Sequence, residues 1–155
     1  MEHILGFLTE DDQRLLIEAG EIRLFEKDEI MLEEGDRRRI IHIILEGTCR
    51  VERSHFGKGV LIAGLEAGEF FGEMSFLEGV GASATVVANG AGKVLCVSPE
   101  SVNSLLQSES SHQCRLLKEN HYLKARLALQ WSSPQYHKKK WILGHFEKDY
   151  LEKQK

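Results

Sequence analysis

The stretch from residue 70 to residue 88 constrains the fold of this chain more than any other part of the sequence. Two aromatic residues end an extended run, and Gly72 and Glu73 then open a single helical turn. A loop with spaced glycines follows, and a β-branched strand comes after it. A short helix and loop in this order direct backbone amides into one small space, as in many phosphate sites. The pattern therefore predicts an anion cradle at the end of a strand.

Residues 71–73 read Phe-Gly-Glu, and residues 82–86 read Ala-Ser-Ala-Thr-Val. These two segments resemble the phosphate-binding cassette of the cyclic-nucleotide-binding domain family, the family of the catabolite activator protein and the protein kinase A regulatory subunit. The family reads Phe-Gly-Glu, then a short helix, then Arg-Ser/Ala-Ala-Thr-Val. The chain departs from that pattern at Ala82, where the family carries arginine. We therefore expect a degenerate cassette.

Short strands separated by glycine turns fill the chain from about residue 21 to about residue 98, which is typical of an antiparallel barrel or sandwich. Thr9 is a predicted helix cap before this series, and Ser98 with Pro99 predicts another helix start after it. The resemblance runs from about residue 7 to about residue 129. It implies an α+β fold, in which an antiparallel β-roll, a jelly-roll-like barrel, carries an N-terminal helix, a short cassette helix and C-terminal helices.

We predict one domain over residues 1–131, with the β-roll over about 21–98 and C-terminal helices over about 99–131. Residues 132–155 form a C-terminal extension that we expect to be helical, and Pro134 ends the preceding helix. The lysines and aromatic residues of this extension could form an amphipathic tail for a membrane surface or a protein partner. Its acidic residues favour the alternative of a helix that folds back on the domain.

The 155 residues carry a formal net charge of -4, which gives no general preference for nucleic acid. About 20 residues follow Pro134, too few for a helix-turn-helix, so we expect no specific DNA binding by this chain. No apolar run approaches the roughly 18 residues of a membrane helix. Three separated cysteines and seven scattered histidines show no disulfide framework or metal-ligand spacing. We expect a cytoplasmic protein that is not an enzyme, without catalytic residues, metal site, cofactor or transmembrane segment.

The resemblance assigns a ligand-binding role to the first segment of the cassette. Glu73 matches the family's acid that accepts a hydrogen bond from the ribose 2′-hydroxyl, although the helix dipole alone also favours an acid there. Gly72, Met74 and Ser75 would act through their backbones, because amides at a helix start have no intrahelical acceptor. A tight strand-to-helix turn is the simpler explanation of the same glycine. Phe71 belongs to the motif and is assigned to the same site.

The second segment carries the main departure from the family. Ala82 removes the arginine that pairs with the cyclic phosphate, a loss worth about 1.5–3 kcal/mol, or about 10- to 100-fold in affinity. Gly81 replaces the proline common before that arginine, so we expect a looser loop. Ser83 and Ala84 fit the residues whose hydroxyl and amide reach the phosphate. A serine at a strand edge is the alternative for Ser83.

The base side of the ligand would be lined, in this family, by the region between residues 56 and 64 and by the terminal helix. Val60 and Ile62 could pack on a purine, or they could be ordinary core residues. The terminal helix offers three polar candidates for the base, among which the sequence does not choose: Asn120, Tyr122 and Arg126.

Residues 37–39 are three consecutive arginines, which indicate a solvated loop. Alternatively, one of them reaches the cradle and replaces the missing arginine. Leu116, Leu123 and Leu127 follow a heptad-like spacing. They could form a homodimer contact, as the corresponding helix does in catabolite activator relatives, or they could pack on the chain's own barrel.

These observations favour a regulatory module that senses a small anionic ligand, cAMP or cGMP, with affinity weakened by Ala82. Ligand binding would shift the position of the C-terminal helix and so relay the signal to a partner. The alternative is a ligand-free scaffold for protein interaction that has lost nucleotide binding.

Overall fold

The computed structural model describes residues 9–132, including the side chains of residues 9–129. Eight strands lie between one N-terminal helix and two C-terminal helices, and a short helix interrupts the strands after the sixth. The elements are α1 (Glu10–Ala19), β1 (Glu21–Phe25), β2 (Ile30–Leu32), β3 (Ile41–Glu46), β4 (Cys49–His55), β5 (Lys58–Leu65), β6 (Phe70–Phe71), α2 (Glu73–Glu78), β7 (Thr85–Ala88), β8 (Gly92–Val97), α3 (Pro99–Gln107) and α4 (His112–Ser132).

The strands form two antiparallel four-stranded sheets, with the orders β1-β8-β3-β6 and β2-β7-β4-β5. We call them sheet A and sheet B. The predicted α+β roll is confirmed, but the two sheets do not close into a barrel. The edge strand β6 pairs over only two residues, because Gly72 then turns the chain into α2. Sheet A therefore ends beside a helix instead of continuing into sheet B.

Two apolar cores follow from the alternation of side chains along the strands. One core lies between the two sheets, and the other lies between sheet A and the helices. Phe70 contributes to the core under the helices, while its neighbour Phe71 contributes to the core between the sheets. Ile43 and Ile44 on β3 divide in the same way. The strand β3 is thus covered on both faces, which explains why it is almost entirely apolar from Ile41 to Leu45.

Both predicted helix caps are confirmed. The Thr9 hydroxyl accepts a hydrogen bond from Asp12 N at 3.2 Å, and the Asp12 carboxylate accepts one from Thr9 N at 3.1 Å. Ser98 forms the corresponding cap with Ser101 at the start of α3. A reciprocal cap of this kind satisfies two backbone donors that a helix start leaves unpaired.

One face of α4 attaches this helix to the rest of the domain. Lys118 forms ion pairs with Glu18 and Glu109, and Ala125 and Leu129 are fully buried. The three leucines at heptad-like spacing are each about half exposed, so they do not pack on the chain's own sheets: Leu116 51%, Leu123 50% and Leu127 55%. That alternative was wrong, because the helix turns Ala125 and Leu129 towards the core instead. The predicted extension lies outside the described residues from residue 133 onwards.

Asp12 and His121 join α1 to α4. The Nδ1 of His121 lies 2.5 Å from the Asp12 carboxylate, which is buried. Burial raises the pKa of Asp12, but hydrogen bonds from His121 and Thr9 outweigh it and leave the pKa lowered. Because the pKa of Asp12 is lower in the folded state, its carboxylate stabilises the fold at pH values above the ordinary pKa of 3.8. This stabilisation disappears as the pH falls through the pKa of the folded state.

Asp12→Asn is expected to lower the free energy of unfolding by about 1.5–3 kcal/mol at neutral pH, the usual loss for a hydrogen bond to a charged group. Urea denaturation of the parent and the variant at neutral pH measures this loss. The same comparison below pH 3.8 tests whether the loss shrinks as Asp12 of the parent becomes protonated. Asp11→Asn is the matched control, because Asp11 lies in the same helical turn and its side chain is 68% exposed. Equal losses in the two variants would show that the His121 contact contributes nothing beyond the helix dipole.

Candidate functional site

A cavity of about 270 Å³ opens between sheet B and the cassette. Its size is near the lower end of small-molecule sites, which range from about 300 to 1,000 Å³. The walls come from β2, β4, β5, β6 and β7, together with the start of α2 and the loop before β7. Segments from across the sequence therefore meet at one concave surface.

Nine of the ten residues that the sequence analysis assigned to ligand binding line this cavity. They are Phe71, Gly72, Glu73, Met74, Ser75, Ala82, Ser83, Ala84 and Ile62. Val60, which pairs with Arg53 in the β4–β5 hairpin, does not line it. The ligand contacts themselves remain predictions.

The β4–β5 pairing contains one irregularity beside the cavity. Val51 pairs with Ala63, whereas the next residue, Glu52, pairs with Leu61. β5 therefore carries an extra residue, Ile62, at this point. Such bulges re-aim side chains near binding sites.

Position 72 requires glycine because of its backbone conformation and because a neighbouring backbone segment leaves no room for a side chain. Its φ of 82° lies in the left-handed region, which side chains with a Cβ rarely adopt. A Cβ at this position would lie 2.6 Å from the carbonyl oxygen of Ile40, just before β3. The cassette thus begins where two backbone segments touch.

The first residues of α2 line the cavity. The first backbone bond of α2 runs from Phe76 N to Gly72 O, so the amides of Met74 and Ser75 have no acceptor within the helix. Glu73 lines the cavity and is buried, with 7% of its surface exposed. The Ser75 hydroxyl donates to the Val80 carbonyl at 2.7 Å and ties the helix to its following loop.

Backbone hydrogen bonds hold the loop before β7 against the turn before β3. Ala82 N donates to Asp36 O at 2.8 Å, and Gly35 N donates to Ala82 O at 2.8 Å. Ala82 is buried and belongs to the core between the sheets. We expected a looser loop from Gly81, and these two bonds supply order that the local sequence does not encode.

The arginines of residues 37–39 do not line the cavity. Arg38 forms an ion pair with Asp36 at 2.6 Å, and Arg39 donates to the Phe76 carbonyl at 2.8 Å. The polar candidates on α4 also lie elsewhere, and Arg126 stands over the Tyr122 ring at 5.8 Å. Replacement of the missing arginine by residues 37–39 is therefore not what the structure shows.

Sequence reasoning missed two residues beside the site. Arg53 lines the cavity, and its Nε donates to the Ser83 carbonyl at 3.2 Å. The alternation of β4 was a usable signal, since Arg53 is two residues after the inward-facing Val51. His42 is one of seven scattered histidines, and nothing in its local sequence singles it out.

His42 lies behind the cavity wall, buried and stacked on Phe71 with ring centroids 4.6 Å apart. Its Nδ1 makes no hydrogen bond of standard geometry with the described residues. Burial, helped by the positive charges of Arg23 and Arg38, lowers the pKa of His42 to about 4. The Asp36 carboxylate and the Ile40 carbonyl oppose this shift without cancelling it. The imidazole is therefore neutral at physiological pH.

Two kinds of feature are absent from the described residues. Between residues 9 and 132, none of the helices combines the length and apolarity that a membrane span needs. Within the same part of the chain, no three His, Cys, Asp or Glu side chains are grouped as metal ligands.

Comparison with known proteins gives three further observations. A cAMP-dependent protein kinase regulatory subunit from Mycosarcoma maydis is 29% identical over 84 residues, covering 54% of this chain and 16% of that protein. The catabolite activator protein of Thermus thermophilus is 25% identical with a TM-score of 0.64, over 96% of this chain and 62% of that one. The regulatory domain of Toxoplasma gondii PKA with cAMP is 22% identical with a TM-score of 0.58, over 65% of this chain and 39% of that one. At this identity the similarity supports the fold alone.

The chain thus spans about a sixth of the curated relative's length and less than two thirds of the catabolite activator protein. Residues 22–109, more than half of the chain, match the family described as cyclic nucleotide-binding domain. The matched region contains both cassette segments and nearly all of the two sheets. This chain belongs to the cyclic nucleotide-binding domain family.

Proposed function

We propose that this chain is a regulatory module that binds cAMP or cGMP in the cavity between sheet B and the cassette. The observation that carries the proposal is that two separate segments, residues 71–75 and 82–84, and Ile62 of β5 line one cavity. Family membership and the cAMP named for the kinase regulatory subunit support it. The fold alone would not fix a function.

The phosphate, the ribose and the base of the ligand would each contact a different part of the cavity. The amides of Met74 and Ser75 and the segment at Ser83 take the cyclic phosphate, since oriented amides bind anions. Glu73 accepts from the ribose 2′-hydroxyl, because a carboxylate forms a strong hydrogen bond with a hydroxyl donor. Ile62 packs on the base. Ala82 contributes no charge, so the affinity is lower than that of a cassette with arginine.

Phe76 provides the route from the cassette to α4. This α2 side chain is buried in the same core cluster as Ala125 and Leu129 of α4. A ligand that prefers one position of α2 would also favour one position of α4, which is a population shift driven by differential affinity. The half-exposed leucines of α4 would then contact a second copy of the chain or another protein.

The role is regulatory and not catalytic, in a cytoplasmic setting that the three free cysteines also fit. We further propose that residues 1–131 act as the ligand-binding domain and that the extension from residue 132 contacts a partner. A ligand-free scaffold is the second candidate, and Ala82 favours it because the cassette lacks the family's guanidinium.

Titration calorimetry of the full chain with cAMP and cGMP separates the two candidates. One-site binding at micromolar ligand supports the regulatory module and removes the scaffold. No heat with either nucleotide at millimolar ligand overturns the module and favours the scaffold.

Ala82→Arg is expected to tighten nucleotide binding by about 10- to 100-fold, because a guanidinium in the cavity wall pairs with the phosphate. Calorimetry with both nucleotides measures the change. Ala91→Arg is the matched control, since Ala91 is exposed in the turn before β8 and does not line the cavity. Equal affinities for Ala82→Arg and the parent would contradict the assignment of this position to the phosphate.

A further inference from the structure

We propose that Arg53 on β4 supplies the positive charge for the ligand's phosphate that Ala82 does not supply. This inference rests on the proposed function, and it adds a residue and a strand that the family's cassette does not contain. The cassette would then be completed by the opposite wall of the cavity and not by its own loop.

The placement of Arg53 is the first argument. Among the described residues that line the cavity, the ionisable side chains are Arg53 and Glu73. The Nε of Arg53 donates to the carbonyl oxygen of Ser83 at 3.2 Å. Ser83 directly follows Ala82, so the guanidinium lies at the loop where the family's own arginine would begin.

The availability of the Arg53 guanidinium is the second argument. A guanidinium carries five N–H donors in a planar fork, and the bond to Ser83 uses one of them. In the described part of the chain, Arg53 forms no ion pair and no other hydrogen bond. Its remaining donors can therefore pair with an anion without first breaking an internal salt bridge.

Other arginines near the site are already engaged. Arg50 binds Glu52 at 2.9 Å and Asp28 at 3.2 Å. Arg38 binds Asp36, and Arg39 binds a carbonyl of α2. These three side chains would each have to give up a partner before binding a ligand, and the cavity lining does not include them.

The strand explains why Arg53 and Arg50 differ. Successive side chains of a strand point to opposite faces, so Val51 and Arg53 share the cavity face. Arg50 and Glu52 occupy the other face and bind each other there. The sheet fixes the backbone of Arg53, and the hydrogen bond to the Ser83 carbonyl holds the guanidinium beside the cassette loop.

Calorimetry of the full chain with cAMP and cGMP tests the proposal on the parent, Arg53→Gln, Arg53→Lys and the control Arg50→Gln. Arg53→Gln is expected to weaken binding by about 10- to 100-fold, as for the loss of a charged hydrogen bond. The affinity of Arg53→Lys should lie between those of the parent and Arg53→Gln, because lysine keeps the positive charge but lacks the planar guanidinium. Arg50→Gln should bind as the parent does.

Two readouts separate a charge contact from a role in holding the loop. Added salt should weaken binding to the parent more than binding to Arg53→Gln, since salt screens exposed charges. In the Ala82→Arg background, Arg53→Gln should cost less than in the parent, because two guanidiniums then share one phosphate.

An equal salt dependence of parent and Arg53→Gln, or parent-like affinity of Arg53→Gln, overturns the role of Arg53 while leaving the proposed function intact. Absence of nucleotide binding by the parent instead removes the proposed function, and this inference with it. The two failures are therefore distinguishable by the parent's own titration.

Discussion

Acidification from pH 6.5 to about pH 4 is expected to lower the free energy of unfolding by about 3 kcal/mol through His42 alone. In the unfolded chain, the imidazole binds a proton near its ordinary pKa of 6.5, whereas the buried imidazole binds one only near pH 4. Between these values the unfolded state binds more protons than the folded state, so stability falls as the pH falls. Well above pH 6.5 the imidazole is neutral in both states, so His42 no longer lowers the stability.

Urea denaturation at several pH values measures this effect in the parent and in His42→Gln. The variant cannot titrate at this position, so the difference between the two stability profiles isolates His42 from the carboxylates. His112→Gln is the control, because His112 is exposed at the start of α4. Parallel profiles for the parent and His42→Gln between pH 4 and pH 6.5 would contradict the buried, neutral imidazole.

Protonation of His42 should also affect the ligand site. His42 stacks on Phe71, and Phe71 lines the cavity. A charged imidazole is more stable in water than in this buried stack, so protonation would pull His42 away from Phe71. The cavity wall at Phe71 would then be disturbed.

Gly72→Ala is expected to lower the free energy of unfolding by about 2–4 kcal/mol and to weaken nucleotide binding. A Cβ in the left-handed region costs about 1–2 kcal/mol. The same Cβ would lie 2.6 Å from the Ile40 carbonyl oxygen, so the backbone of β6 or β3 must shift as well. That shift would move the amides of Met74 and Ser75 away from the ligand.

Gly57→Ala is the matched control for this variant. Gly57 also has a positive φ, 77°, but a Cβ there meets nothing within 4 Å. It should therefore show the conformational cost alone, about 1–2 kcal/mol, and leave nucleotide affinity unchanged. If Gly72→Ala were no more destabilising than Gly57→Ala, the close approach to Ile40 would not be energetically important.

Much of the fold could be predicted because its signals are local. The Thr9 and Ser98 caps involve residues three positions away, and both appear as expected. The α+β class follows from the alternation of short strands and glycine turns. Closure of the sheets could not be predicted, since it depends on the pairing of strand edges such as β6, which are distant in sequence.

The site divides in the same way. Gly72 and Glu73 could be assigned because a left-handed glycine and a following helix start are set within a few residues. Arg53 and its Ser83 partner are 30 residues apart, and only the pairing of β4 with β5 and β7 brings Arg53 to the cavity. His42 and Phe71 meet through the pairing of β3 with β6.

The amino-acid sequence by itself therefore determined the helix caps, the cassette turn and the missing guanidinium at Ala82, since each depends on a few neighbouring residues. The tertiary structure decided which distant side chains face the same space: Arg53 in the cavity, His42 behind its wall and the exposed leucines of α4. For Arg53 and His42 the physical reason is strand register, because a shift of one residue turns every side chain of a strand to the opposite face. For α4 the reason is which face of the helix packs on the core.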